Sequence, residues 1–210
     1  MCTTLHSLAR ALARDVLINL NTNTRYKSYA GPITTTYGEV FWTGLPPAPI
    51  PADVAKRFDG KVMAVVGFEA DQVRKTPDGD VSVPINVAYN HHYGATLVGS
   101  GSAMKKVKTS TLVKEGDHRA FHPSPTPGYT DIAVEHTPSA SGAPTSLQFG
   151  YSNGGEFRKT YHALAPPFAQ LIESPNHVSC GPMQIDTWNR EKMNVTGSAF
   201  VAGQCDTVTL

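Results

Sequence analysis

The sequence predicts a mainly β fold: a β-sandwich or jelly-roll-like single domain with a short N-terminal helix. First, its 210 residues are a normal length for one sandwich or barrel. Second, only 17% of the residues are charged, and the 18 glycines and 16 prolines suit short strands joined by tight turns better than a helical bundle. Third, runs of aromatic and β-branched residues alternate with turn-forming residues along most of the chain.

The chain begins with apolar residues at roughly helical spacing. These residues are Leu5, Leu8, Leu12, Val16 and Leu20. Arg10 and Arg14 lie between them, and Asp15 is the one acidic residue of this stretch. We therefore predict an amphipathic helix and lead-in over residues 1–24, followed by a single β-rich domain over 25–210. Such a helix either packs on the domain, offers a surface to a protein partner, or targets the chain to an organelle.

The later elements follow in order from β-prone runs that stop at turn residues. Strands are predicted over 37–43, 62–68, 81–98, 131–135, 169–172 and 183–188, with a hairpin formed by 147–151 and 157–161. The prolines of 45–51 predict an extended connector without ladder hydrogen bonds. Residues 52–58 are predicted to form a short helix, and 100–127 a long surface excursion.

Charge and hydropathy exclude several classes of protein. The formal net charge of +1 gives no basic field for nucleic acid. No apolar run approaches the roughly 20 residues of a transmembrane helix, so we expect a soluble domain. The cysteines Cys2, Cys180 and Cys205 are too few for a disulfide framework, although Cys180 and Cys205 are able to pair. A glycosylation sequon at Asn194 matters only if the chain is secreted, and the compartment stays open.

The strongest chemical signal is the pair His91-His92, within the motif YNHHYG. Adjacent residues of a regular strand point to opposite faces, so one metal ion does not normally take both. A β-bulge turns two neighbours toward one side, and Gly94 gives the backbone local freedom for one. Imidazole suits copper, zinc or iron. The pair therefore predicts a metal site, for which copper is our first choice.

A metal site needs at least a third ligand, and His162 is the first candidate. It ends the predicted second strand of the hairpin, where a β fold is able to bring it beside His91 and His92. His136, at the end of another predicted strand, is the second candidate. His118 and His122 have helical spacing, but prolines follow at once, which favours a solvated loop.

The strand INVAYNHHYGATLVG resembles the first copper domain of the peptidylglycine α-hydroxylating monooxygenase family. The resemblance implies a β-sandwich in which a strand-borne His-His pair and a later histidine hold one copper ion. Only His91 and His92 match by position, and His162 is assigned by role. That family also has a second copper domain and several disulfides, which this chain is too short and too poor in cysteine to hold. The implied activity is that of an oxidoreductase with a small-molecule substrate.

Other interpretations stay open. His177, Cys180 and Met183 include the residue types of a blue-copper site, in a different order from the usual one. His177 and Cys180 alternatively predict a thiolate–imidazole nucleophile of a hydrolase. Glu173 with His91 and His162 would favour non-haem iron. The main rival is a non-catalytic binding or assembly domain with structural histidines, which docks through the N-terminal helix.

Overall fold

The computed structural model describes residues 2–12, 24–42, 44–108, 129–152 and 161–191. These ranges contain one helix, α1 (Ala52–Phe58), and thirteen strands. The strands are β1 (Cys2–Leu12), β2 (Thr24–Pro32), β3 (Val40–Trp42), β4 (Leu45–Pro49), β5 (Val62–Thr76), β6 (Gly79–Ser82), β7 (Ala88–Gly99), β8 (Ser102–Lys108), β9 (Tyr129–Glu135), β10 (Ser146–Ser152), β11 (His162–Ala163), β12 (Gln170–Glu173) and β13 (Pro175–Asp186). The prediction of a mainly β chain is confirmed.

All described strand pairings are antiparallel and form three sheets. Sheet A has the order β11-β5-β1-β2, with β12 and β6 also paired to β5. Sheet B has the order β10-β7-β13-β3, with β4 also paired to β13. Strands β8 and β9 form a separate two-stranded ribbon. Helix α1, the one helix of the described ranges, is not long and apolar enough to cross a membrane.

One hydrophobic core joins sheets A and B. Met63 and Val65 of sheet A are buried in the same cluster as Ala95 and Leu97 of sheet B. Phe68 of sheet A also contacts Phe149 of sheet B, with ring centroids 4.7 Å apart. Each of the two sheets therefore has an inner face against this core and an outer face away from it.

Helix α1 occupies the predicted range and covers one edge of this core. Asp53 in its first turn and Lys56 and Arg57 in its last turn complement the helix dipole. Val54 and Phe58, four residues apart, lie on one side and are buried. The predicted helix over 52–58 is confirmed.

The predicted N-terminal helix is wrong for residues 2–12, which form strand β1. β1 lies between β2 and β5 and pairs with both. The backbone ladders of two neighbouring strands outweigh the local helical pattern, because helix propensity is a weak prior. Residues 13–23 lie outside the described part of the chain. A docking helix at the start of the chain therefore has no support in residues 2–12.

Long-range pairing explains three further differences. The proline-rich 45–51 segment contains strand β4, which pairs with β13 at the border of sheet B, where a missing N–H is tolerated. The predicted strand 81–98 is divided into β6 and β7 on either side of a turn at Pro84. His162, predicted to end the second strand of the hairpin, belongs to β11, which pairs with β5 in sheet A, whereas β10 pairs with β7 in sheet B. Residues 153–160 lie outside the described ranges.

The shared core predicts a large stability difference between two leucines. Leu97 is 1% exposed in the core, and Leu171 is 36% exposed on β12. We expect Leu97→Ala to lower the free energy of unfolding by about 2–5 kcal/mol, because it leaves a cavity. Leu171→Ala, the matched control, should change it by only about 0.5 kcal/mol. Urea denaturation followed by circular dichroism measures both, and equal losses would contradict the assignment of the core.

Candidate functional site

A β-bulge in β7 lies at the histidine pair. In the ladder between β7 and β13, His92 is opposite Met183, but Asn90 is opposite Gln184. His91 is thus an extra residue with no counterpart on β13. A bulge of this kind bends the strand and brings the side chains of two successive residues toward the same side. This is the local geometry that the adjacent histidines require if they are to act together.

The residues on either side of the bulge show which face of sheet B the pair occupies. Tyr93, 4% exposed, belongs to the core, and its partner Pro182 is fully buried. On the other side of the bulge, Asn90 and Gln184 are buried as well. Because side chains alternate along a strand, His92 is on the outer face of sheet B.

Ring contacts place His91 on the same outer face. Its ring centroid is 4.1 Å from that of His92, at an interplanar angle of 77°. It also lies 4.9 Å from the ring of Tyr89, an outer-face residue opposite Ile185. The two imidazoles therefore stand side by side, edge to face, and both are partly exposed.

Met183 and Trp42 continue this line of side chains across the outer face. Met183 is directly opposite His92 on one side and directly opposite Trp42 of β3 on the other. Opposite residues of an antiparallel pair share a face, with Cβ atoms about 4.5–5.5 Å apart. We call His91, His92, Met183 and Trp42 the outer row. It unites two imidazoles of β7, a thioether of β13 and an indole of β3 on three neighbouring strands.

One atom of the outer row has an unmet hydrogen-bonding requirement. Nδ1 of His91 is buried and has no hydrogen-bond partner. Leaving a buried polar atom without a partner costs about 1–3 kcal/mol. A metal ion bound to this nitrogen would provide the missing interaction, since imidazole nitrogen is the commonest metal ligand in proteins. In the described residues, the outer row therefore offers an imidazole nitrogen that is available to a ligand.

The structure does not bring His162 to the pair. Its ring stacks on that of Phe68 at 5.0 Å and 16°, and Phe68 in turn contacts Phe149 of the core. His162 therefore faces the interior from sheet A, and sheet B lies between it and the outer row. His162 directly follows the predicted hairpin strand 157–161, but it belongs to sheet A, whereas β10 belongs to sheet B, which the sequence pattern does not reveal.

His136 is also remote from the pair. Its backbone N–H donates to the carbonyl of Gly101, just beyond the end of β7. The seven residue steps from His92 to Gly99 separate these two positions of β7 by on the order of 20 Å. In the described ranges, no three His, Cys, Asp or Glu side chains form a group able to hold a metal ion. His118 and His122 lie outside those ranges.

The alternative sites do not assemble either. Cys180 lies on the inner face of β13, where burial raises the pKa of its thiol to about 12. His177, three residues earlier, lies on the outer face, and burial lowers its pKa. An inert thiol on the opposite face does not make a nucleophile with this imidazole. Cys180 is a free cysteine, and Cys205 lies outside the described part of the chain.

Glu173 holds a loop rather than a metal. Its carboxylate accepts hydrogen bonds from the Ser141 hydroxyl, from the Ser139 hydroxyl at 2.8 Å, and from the backbone N–H groups of Ser141 at 2.8 Å and Ala140 at 3.1 Å. These bonds, led by that of the Ser141 hydroxyl, lower the pKa of Glu173 to about 2. The carboxylate is thus occupied by residues 139–141.

A cavity of about 390 Å³ lies next to the outer row on the same face of sheet B. Its floor is a row of three glycines that are opposite one another on adjacent strands, Gly150, Gly94 and Gly181. Added Cβ atoms at Gly94 and Gly181 would meet nothing within 4 Å. Met104 and Asp131 of the β8–β9 ribbon line the opposite side, and Trp42 of the outer row forms part of the wall.

Comparison of the chain with family models, with curated proteins and with solved structures finds no match. The features of the chain that bear on function are therefore the geometry of the outer row and the cavity beside it.

The Glu173 contacts predict an acid-dependent contribution to stability. The pKa of this carboxyl is lower in the folded chain than its ordinary value of 4.5, so its contribution is present above about pH 4.5 and is lost as the pH falls toward about 2. We expect Glu173→Gln to lower the free energy of unfolding at about pH 6 and to change it much less at about pH 2. Urea denaturation at both pH values, with Asp78→Asn in an exposed turn as control, measures the difference. An equal loss at both pH values would contradict this role for the charge.

Proposed function

We propose that this chain binds one copper ion through His91 and His92 on the outer face of sheet B. The observation that carries the proposal is the bulge at His91, which holds two adjacent imidazoles side by side with centroids 4.1 Å apart. The buried Nδ1 of His91, which lacks a hydrogen-bond partner, supports it independently. A structural role for the pair would leave that nitrogen unsatisfied.

The donor set favours copper over the other metals that imidazole binds. Structural zinc sites take four His, Cys or carboxylate ligands, and catalytic ones three. The described residues around the pair offer no third ligand of these types. Copper(II) has the highest affinity of the divalent first-row metals for a given site, and copper(I) accepts sulfur ligands. Two imidazoles beside a thioether are therefore a better match for copper.

The sequence resemblance to the first copper domain of the peptidylglycine monooxygenase family supports the same metal. We infer with it that sheets A and B form a β-sandwich. We do not retain His162 as the third ligand in this proposal, because its ring lies among core aromatics on the other side of sheet B. The pair alone is carried over from the resemblance.

The cavity beside the outer row favours a second function, that of an oxidoreductase. A small molecule bound over the three glycines would lie next to the proposed copper ligands, because Gly94 is two residues from His92 along β7. Trp42 would contact both the molecule and the copper site. When bound, copper would supply the redox chemistry. This chain's residues would position the substrate and leave one side of the metal open.

The proposed copper site predicts that metal binding depends on both histidines. We expect one copper ion per chain, and we expect His91→Ala and His92→Ala each to lower the affinity by at least about 10–100-fold, because even loss of an outer-shell partner has an effect of that size. His177→Ala, an outer-face histidine at the far end of β13, is the matched control and should bind like wild type. Elemental analysis and competition with a chromophoric copper chelator provide the measurement.

Two results would reject the copper site. One is wild-type protein that binds no copper after reconstitution, and the other is a His91→Ala/His92→Ala variant that binds as well as wild type. Either would favour the rival interpretation, a binding or assembly domain in which the histidines are structural.

The oxidoreductase proposal predicts copper-dependent reduction of dioxygen. With ascorbate present, one ascorbate gives two electrons and two protons to one dioxygen, which yields dehydroascorbate and hydrogen peroxide. We expect Gly94→Val, whose side chain enters the cavity, to leave copper affinity unchanged and to slow oxidation of any substrate found by screening. Peroxide production equal to that of the histidine double variant would reject turnover at this site.

A further inference from the structure

We propose that the thioether of Met183 is the third copper ligand and that it makes the site selective for copper(I). This inference rests on the proposed copper site and assigns its third donor and its oxidation state.

The register of sheet B places Met183 where a third ligand is needed. It is directly opposite His92, at the same position of the ladder where the bulge inserts His91. Its neighbours Pro182 and Gln184 are buried on the inner face, so Met183 is on the outer face with both imidazoles. It is itself only partly exposed, which keeps the thioether against the sheet rather than extended into solvent.

The other positions around the pair leave few alternatives in the described part of the chain. The outer-face neighbours of Met183 along β13 are Gly181 and Ile185, neither of which has a side-chain donor atom. The corresponding neighbours on β7 are Gly94 and Tyr89. A methionine sulfur is therefore the soft donor that the fold places beside two imidazoles.

The chemistry of this donor set differs between the two copper oxidation states. Thioether sulfur is a soft ligand and selects copper(I), whereas imidazole binds both states. A site with two imidazoles and one thioether should thus lose copper(I) affinity when the sulfur is removed, while its copper(II) affinity depends mainly on the histidines. The two oxidation states provide a test that separates the role of Met183 from the role of the pair.

The first experiment compares copper(I) and copper(II) affinities by competition with a chelator specific for each state. We expect Met183→Leu, which removes the sulfur but keeps the side chain apolar and similar in size, to weaken copper(I) binding by at least about tenfold. Copper(II) binding should change by less than about threefold. Met104→Leu, on the ribbon that lines the cavity, is the matched control and should change neither affinity.

The second experiment is X-ray absorption at the copper edge of the copper(I)-loaded protein. We expect a sulfur scatterer in wild type and Met104→Leu and its absence in Met183→Leu. Wild-type protein labelled with selenomethionine should show selenium next to copper, which tests the ligand even if Met183→Leu fails to fold.

A third measurement uses Trp42, which is opposite Met183, as a local reporter. The chain has two tryptophans, Trp42 and Trp188, and Trp188 lies against Arg190 at 4.6 Å. In a Trp188→Phe background, copper(I) at the outer row should quench the fluorescence of Trp42. Quenching that persists in the His91→Ala/His92→Ala variant would reject this location.

The outcomes separate the two proposals. If wild type binds copper through the histidines but Met183→Leu is unchanged for both oxidation states, or no selenium lies near copper, the Met183 inference is wrong and the proposed function stands. If wild type binds neither copper(I) nor copper(II), both are wrong. Loss of copper(I) affinity and of the sulfur signal together in Met183→Leu establishes the inference.

Discussion

The pairing of β7 with β13 in the middle of sheet B is the constraint on which the site depends. The ladder runs along nearly the whole of both strands and includes two irregularities, one between Pro175 and His177 and the other at His91. Beyond the irregularity at His91, Asp186 ends the ladder and is itself fixed by the Thr35 hydroxyl and the Arg190 guanidinium, each 2.8 Å away. On the near side, Pro182 and Tyr93 are buried in the core. The extra residue is thus held between two fixed registers, so the bulge cannot slide along the strand.

The features that depend on neighbouring residues could be predicted from the sequence. Helix α1 was predictable because a short amphipathic segment follows prolines, and the central strands because β-prone runs end at turn residues. The adjacency of His91 and His92, with Gly94 close by, was sufficient to predict a strand with a bulge if both side chains act together. Each of these inferences depends on residues within a few positions of one another, and so on local backbone chemistry.

The features that depend on pairing between distant strands could not be predicted from the sequence. The apolar residues of 2–12 have helical spacing, but this segment pairs with β2 and β5 as a strand of sheet A. His162 follows β10 by ten residues and nevertheless enters the other sheet, which removes it from the pair. The sequence places Met183 near His177 and Cys180, whereas the ladder places it opposite His92, ninety-one positions away. The pairing and register of distant strands determine all three of these placements, and they cannot be predicted from the local pattern of a single sequence.

The outer row and the hydrophobic core take different residues from the same strands, because the outer row lies on one face of sheet B and the core lies on the other. The core between the sheets is formed by apolar residues from other positions of the same strands. The imidazoles of His91 and His92 and the thioether of Met183 are not members of that core, and the core residues are not among the proposed ligands. Because alternation along the strands separates the two sets of residues, the proposed ligands can be substituted without a cavity opening in the interior. The bulge is the one feature that both roles share: it lets Asn90 and Gln184 remain buried while His91 and His92 both face outward.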